Sequence, residues 1–412
     1  MTVSIDASLS ANSKMPGIPI LSIPELDRDP HGIYRRYRAD TPFICRPDGS
    51  YIAIRGRDVV QLITDPRTRQ MESELAVMRG ITEGSLFDVL AHSMVFSNGE
   101  AHRRRRAAMS RTFAFRIIAT LRPRIRALAE ELIDAHVEEG RMNLLDDYAG
   151  LIPARAIAEI LGLPEQDVPY FASLVYTVSR ATSFSFTAVE VPAMKQAAEQ
   201  LNDYAEKMLA DRRAAPRDDF LSAFVRAVDE QVELSPVETL SQIVTLIVAG
   251  SDTTRAAMAV QVALLLQHRE QWNMVCNTPA LIPGAVAEAL RYEPAVGSVP
   301  RFTTAEIEID GRIAPAGRIL TLSTLSAMRD PALYTDPERF DIRRTDHPRW
   351  HLVFGGGAHR CLGEALAKAE LEEGLAALAA RLPQLVADGE PLRVEGHSGI
   401  RRLSSLHVAW LR

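Results

Sequence analysis

Residues Phe354–Gly363 read "FGGGAHRCLG": four glycines, a histidine, an arginine and one of the chain's 3 cysteines in ten positions. Consecutive glycines permit positive φ and a close backbone approach to something flat or large. The next stretch, "LGEALAKAELEEGLAALAARL", is rich in Ala, Leu and Glu and predicts a helix. Cys361 therefore stands at or just before a helix start. Unpaired amides and the positive end of the helix dipole there favour the thiolate, the form that binds a metal or attacks an electrophile.

Three readings of this loop compete on the residues alone. A buried structural cysteine is the commonest fate of a lone cysteine, but it needs no glycines. A nucleophilic cysteine needs a base, and His359 lies only two residues back. An axial thiolate on haem iron accounts for the glycines, the helix start and the lone cysteine together. His359 and Arg360 would then lie near an anionic cofactor edge.

Working outward, the 412-residue chain is 47% hydrophobic and carries a formal net charge of -6, with nearly all its basic residues arginine. That balance gives no reason to expect nucleic acid. Cys45, Cys276 and Cys361 are far apart, which suits a reducing compartment and no disulfide framework. The N-terminus lacks a secretory pattern, and its first fifteen or so residues read as a loose tail. No uninterrupted apolar stretch reaches the ~18–20 residues that span a bilayer. "FICRPDGSYIAI" reads as a hairpin around Pro47-Asp48-Gly49, and "AEIEIDGRIAPAGRILTLSTL" and the C-terminal stretch read as short strands. Most of the rest has helical periodicity. Ala181–Pro192 reads as an exposed loop.

"SPVETLSQIVTLIVAGSDTTRAAMAVQVALLLQH" carries the clearest helix start. Ser235 is the N-cap, Pro236 the first helical residue, and Glu238 closes a capping box. A helix running to about Gln267 would span roughly 45–50 Å. It is apolar on nearly every face before Gly250, and so should be buried. Its centre holds Ala249-Gly250-Ser251-Asp252-Thr253-Thr254. Small polar residues of this kind loosen the backbone ladder. One reading is a kink or a polar spot against a neighbouring helix. The other is that Gly250 clears space for a bulky ligand while Asp252 and Thr253 handle protons beside it.

The chain resembles the cytochrome P-450 family of haem-thiolate monooxygenases. Phe354, Gly357, His359, Cys361 and Gly363 match its F-x-x-G-x-H-x-C-x-G signature, and Ala249, Gly250, Asp252 and Thr253 match its A-G-x-D/E-T motif. "EALR" resembles E-x-x-R, with Glu288 and Arg291 on one helical face. Alone, that pair could be a surface ion pair of little worth; the resemblance makes it a buried structural pair. Asp336, Pro337, Arg339 and Phe340 match the stretch before the loop. Met328-Arg329-Asp330 stands where many relatives read Asn-Arg-Asp. "GEAHRRRRAAMSRTF" resembles the H-x-x-x-R helix through His102 and Arg106.

The resemblance runs from about Pro24 to the C-terminus. It implies a mainly α fold with small β-sheets, one domain over 1–412, and haem b between the long central helix and the cysteine-loop helix. Cys361 would be the axial thiolate, and His102, Arg106, Arg301 and His359 would face the propionates. Phe354, Gly355, Gly363 and Ala249 would border the macrocycle, with O₂ as co-substrate. Thr253 would hydrogen-bond dioxygen or its water, Asp252 would relay protons, and Gly250 would open the dioxygen groove. Remaining arginines of Arg103–Arg106 could present a basic surface to an acidic partner. Electrons would come from a ferredoxin and its reductase, to a cytoplasmic monomer without a membrane anchor.

By family position the pocket would draw on Val248, Ala249, Val296, Val299 and Ile400, which suits a hydrophobic small molecule. Arg180 and Arg401 could pair a substrate carboxylate, although each reads first as a solvated surface arginine. A peroxygenase, a non-hydroxylating oxidase, and a non-catalytic haem sensor or electron carrier are the alternatives. Asp252-Thr253 speaks against the last, since a carrier needs no proton relay.

Overall fold

The computed structural model describes residues 17–112, 115–182, 186–231, 233–349, 351–389, 393–401 and 403–411. The expected N-terminal tail therefore falls outside the described residues, as does part of the Ala181–Pro192 stretch. The principal helices are α1 Gly56–Leu62, α2 Ser85–His92, α3 Gly99–Thr112, α4 Phe115–Asp134, α5 Leu151–Leu161, α6 Val168–Ser179, α7 Val191–Ala214, α8 Pro236–Gln267, α9 Ile282–Tyr292 and α10 Glu364–Arg381.

Among the described residues the strands are short: β1 Phe43–Cys45, β2 Tyr51–Ala53, β3 Thr68–Arg69, β4 Arg141–Asn143, β5 Val299–Thr303, β6 Ile307–Ile309, β7 Arg312–Ala314, β8 Ile319–Leu322, β9 Val386–Ala387 and β10 His407–Ala409. The expected hairpin is β1–β2, with Ile44 opposite Ile52. It joins a five-stranded sheet in the order β1-β2-β8-β5-β3. The β2–β8 pairing is parallel and sets Ile52 against Thr321. It joins strands distant in sequence, which local patterning does not show. In the antiparallel β5–β8 pair, Arg301 lies opposite Leu320.

α8 starts where the sequence says. Ser235 Oγ accepts from the Glu238 amide (3.2 Å), and Glu238 Oε2 accepts from the Ser235 amide (2.9 Å). Its 32 residues span about 48 Å. It is long and apolar enough to cross a membrane, but 78% of its most apolar window is buried inside the protein. α2, α5, α6, α7, α9 and α10 all pack on it, so it is the axis of the helical core. Gln242 of α8 fixes the end of α2: its amide donates to the His92 carbonyl (2.8 Å), and its oxygen accepts from the Met94 amide (2.8 Å).

The expected loosening at Ala249–Thr254 does not occur. The α-helix runs unbroken, and the hydroxyls fold back onto it. Ser251 Oγ donates to the Ile247 carbonyl (2.8 Å) and Thr253 Oγ1 to the Ala249 carbonyl (2.9 Å). Four-residue back-bonding lets these hydroxyls satisfy themselves within a helix, so their presence need not break it.

Candidate active site

A cavity of about 390 Å³ opens between α8, the cysteine loop with the start of α10, the α2 region and β5. Cys361, Thr253, Gly250, Ala249 and Val248 line it, as do Val296, Val299 and Ile400. The remaining walls are mostly aliphatic, among them Val89, Leu90, Val178 and Leu246.

The cysteine loop is folded by its own backbone. The Cys361 amide donates to the Phe354 carbonyl (2.7 Å) and the Arg360 amide to the Gly357 carbonyl (3.2 Å). Gly355 and Gly357 have φ of 72° and 59°, a region that disfavours any Cβ. The neighbours of these glycines correct the sequence reading. A Cβ on Gly356 would lie 2.9 Å from Ile63, and one on Gly357 2.8 Å from Thr64. Those two glycines let the loop close onto Ile63 and Thr64 just past α1, while a Cβ on Gly363 would meet nothing within 4 Å. Gly250 is similar: its Cβ would meet Ile157 Cδ1 of α5 at 2.7 Å. The room it clears is taken first by that isoleucine, because α5 crosses α8 closely at this point.

Cys361 has exposed surface, but that surface belongs to the cavity and not to the outside of the molecule. Burial pushes its thiol up, against the lowering influence of the Gly363 amide, Arg106 and Arg360. The backbone amide at the helix start lowers it, but desolvation outweighs that effect. A coordinating metal would displace the thiol proton outright.

Around the loop gather Arg106, Arg301, His102 and His359. Arg106 donates to the Arg360 carbonyl (2.7 Å), and Arg301 to the Ile63 carbonyl (3.2 Å). The rings of His102 and His359 lie 3.9 Å apart at a tilt of 35°, and buried His102 Nε2 has no hydrogen-bond partner. Burial, then His102, Arg301 and Arg106, hold His359 down at about 3. Burial holds Arg301 at about 10. Such a cluster is complementary to a buried dianion. A cationic rim, an apolar cavity and one thiol in its wall fit a haem with two propionates.

The four-arginine run divides its work. Arg103 is 70% exposed and pairs with Glu100. Arg104 and Arg105 both reach Glu238 at the start of α8, and Arg105 is buried there. Arg106 faces the cavity. The basic face expected of the run is thus reduced mainly to Arg103, because Glu238 draws two of its members inward.

Asp252 does not line the cavity. It is 2% exposed, accepts from Ser179 Oγ of α6 (2.7 Å), and stands 3.9 Å from Arg255 Nη1. Thr253 does line it. The two motif residues therefore face different surroundings, as neighbours on a helix must.

Glu288 and Arg291 are wholly buried and joined through two bonds of 2.8 and 2.9 Å. Arg291 also donates to the carbonyls of Met328, Pro337 and Arg339, which fastens the stretch leading to the loop onto α9. Arg344 and His347 flank Glu288, and sequence reasoning missed both. Arg401 is corrected as well. It is 1% exposed, and pairs with Glu293 and the Gly396 carbonyl. Its charge reads as solvated because Glu293, the carboxylate it pairs with, lies far off in sequence. Arg180 pairs with Glu190. Ile157, Ser179 and Glu370 were also missed, since no motif marks them.

The sequence profile of the cytochrome P450 family matches residues 176–278 and 279–390. Plant-inducible cytochrome P450-pinF1 of Rhizobium radiobacter is 44% identical over 94% of this chain and 91% of its own length. Cytochrome P450 monooxygenase PikC of Streptomyces venezuelae is 32% identical over 96% of this chain and 95% of its own. The crystal structure of CalO2 superposes with a TM-score of 0.86 at 28% identity, covering 94% of this chain and 97% of that one. The chain belongs to the cytochrome P450 family of the bacterial type, whose members are oxidoreductases that carry haem b and take O₂ as co-substrate.

Proposed function

We propose that this protein is a haem-thiolate monooxygenase that receives electrons from a ferredoxin and its reductase, in the cytoplasm and as a monomer, and oxidises a hydrophobic small molecule. The carrying observation is that the Cys361 thiol and the Thr253 hydroxyl line one mostly apolar cavity with a cationic rim at its cysteine end. Haem, when bound, supplies the iron chemistry that activates dioxygen. Cys361 would hold it through sulfur, and His102, Arg106, Arg301 and His359 would neutralise its propionates. Thr253 already donates its hydrogen to the Ala249 carbonyl, so its oxygen is free to accept from a donor in the cavity. Asp252, bonded to Ser179 on the α6 side of α8, would relay protons toward the cavity by side-chain rotation.

Val248, Ala249, Val296, Val299 and Ile400 would contact the substrate. Arg180 and Arg401 are both paired with protein carboxylates. That favours a substrate held by apolar contact, without a carboxylate anchor. The deciding experiment is the absorption spectrum of the reduced, CO-treated protein, then turnover with NAD(P)H and ferredoxin against turnover with peroxide alone. A Soret band without the thiolate red shift would refute the reading, and turnover only with peroxide would refute the electron supply.

Thr253→Ala is expected to leave haem content and substrate-induced spin shift unchanged. Product formed per NAD(P)H consumed should fall about tenfold or more, with the missing electrons recovered as peroxide. Coupled turnover at the wild-type yield would remove Thr253 from its assigned role.

A further inference from the structure

Glu293 stands just past the end of α9, and neither it nor Arg401 lines the cavity. Three basic side chains from distant parts of the chain meet on its carboxylate. Oε1 accepts from Arg329 Nη2 (2.8 Å) and lies 2.7 Å from His31 Nε2, while Oε2 accepts from Arg401 Nη1. Burial alone would push this carboxyl up, but the Arg401 charge, then His31 and Arg329, hold it well below the usual carboxylate range. Arg401 is itself buried, so its charge depends on that carboxylate.

What Arg401 carries is a wall of the cavity. Val296 and Ile400 face each other in an antiparallel bridge, and both line the cavity. The Gly297 amide donates to the Gly399 carbonyl (2.9 Å), and the Arg401 amide to the Ala295 carbonyl (2.7 Å). A two-stranded pairing this short is marginal by itself. The Arg401 stem reinforces it by running across Gly297, where a Cβ would lie 2.8 Å from Arg401 Cδ. The guanidinium then ties the turn to Glu293 and to the Gly396 carbonyl (2.8 Å). Arg329 fastens the other end of the pair. It donates twice to the Tyr292 carbonyl (2.8 and 2.9 Å) and lies 3.6 Å over the Tyr292 ring.

We propose that Glu293 is a specificity-determining positioning residue: acting through Arg401, it fixes the wall made by Val296 and Ile400, and so sets which hydrophobic molecules the cavity accepts. This rests on the reading of the cavity as the place where haem and substrate meet. Without the carboxylate, the buried Arg401 charge loses its partner. The guanidinium must then move toward water, and it takes the Gly399–Ile400 turn with it. A ligand that fills this end of the cavity loses a preformed wall, whereas one that reaches only the iron does not.

Azole titrations of the holoprotein, followed by the Soret shift on iron ligation, test it. Imidazole probes the iron alone, and 4-phenylimidazole also presses on the walls. In Glu293→Gln the ratio of the 4-phenylimidazole Kd to the imidazole Kd should rise about tenfold, with imidazole itself within about twofold of wild type. Glu293→Asp keeps the charge but retracts it by one methylene. It should raise the ratio less, and it carries the test if Glu293→Gln does not fold. Ile400→Ala should raise the ratio too, and adding Glu293→Gln to it should change the ratio by no more than about twofold, because both act on one wall. A wild-type ratio in the Glu293 variants, or an equal loss for both azoles, would overturn the proposal. Full additivity with Ile400→Ala would overturn the route through Arg401. Failure of the haem-thiolate reading itself shows separately, in the CO spectrum of the wild-type protein.

Discussion

Cys361→His should yield a folded protein that has lost the red-shifted Soret band of its reduced CO complex and all product formation driven by O₂. The position of residue 361 is set by backbone bonds, chiefly its amide to the Phe354 carbonyl at 2.7 Å. Those bonds survive the substitution, and α10 begins three residues later at Glu364. The larger ring points into the cavity, so the fold should lose no more than about 1–3 kcal/mol. What changes is the donor atom. A thiolate pushes electron density through iron toward O–O cleavage, and a neutral imidazole does not. The paired measurement is the CO difference spectrum and product yield at equal haem content. A variant that keeps the red shift would show that Cys361 is not the ligand.

Arg291→Ala should be strongly destabilising. It leaves Glu288 wholly buried without its bidentate partner, and strips a donor from the carbonyls of Met328, Pro337 and Arg339. Removing one member of a buried pair costs about 3–5 kcal/mol, a large part of a total stability of about 5–15 kcal/mol. Arg344 and His347 stay beside Glu288 and compensate only in part: Arg344 also donates to the Arg339 carbonyl (3.0 Å), but neither reaches the carbonyls of Met328 and Pro337. Arg291→Lys keeps the charge but cannot make the two-pronged bond, and should fall between. Soluble yield, haem retention and the unfolding midpoint report the outcome. A wild-type midpoint for Arg291→Ala would mean that the pair does not hold this stretch together.

Much of the site is written in contiguous residues. The Ser235 cap, the length of α8, the glycine-cysteine loop and the β1–β2 hairpin depend on neighbours a few positions apart, and all were legible. The partners of those residues were not. Nothing near Asp252 in the chain indicates Ser179, and nothing near Gly250 indicates Ile157, because each lies on another helix brought in by packing. Arg401 shows the same gap in reverse. Its charge reads as solvated until Glu293 and the Gly396 carbonyl close around it.

The sequence by itself determined the cofactor class through its family motifs, and marked Cys361 and the long helix as candidates for the sulfur ligand and the wall that faces it, since those motifs lie in contiguous residues. The tertiary structure alone decided which way each group works. It placed two of the three loop glycines against the residues just past α1, turned Asp252 away from the cavity, drew Arg104 and Arg105 onto Glu238, and paired Arg401 with Glu293. The physical reason is that burial and pairing govern protonation and space, and both are set by chain segments that meet only when the protein folds.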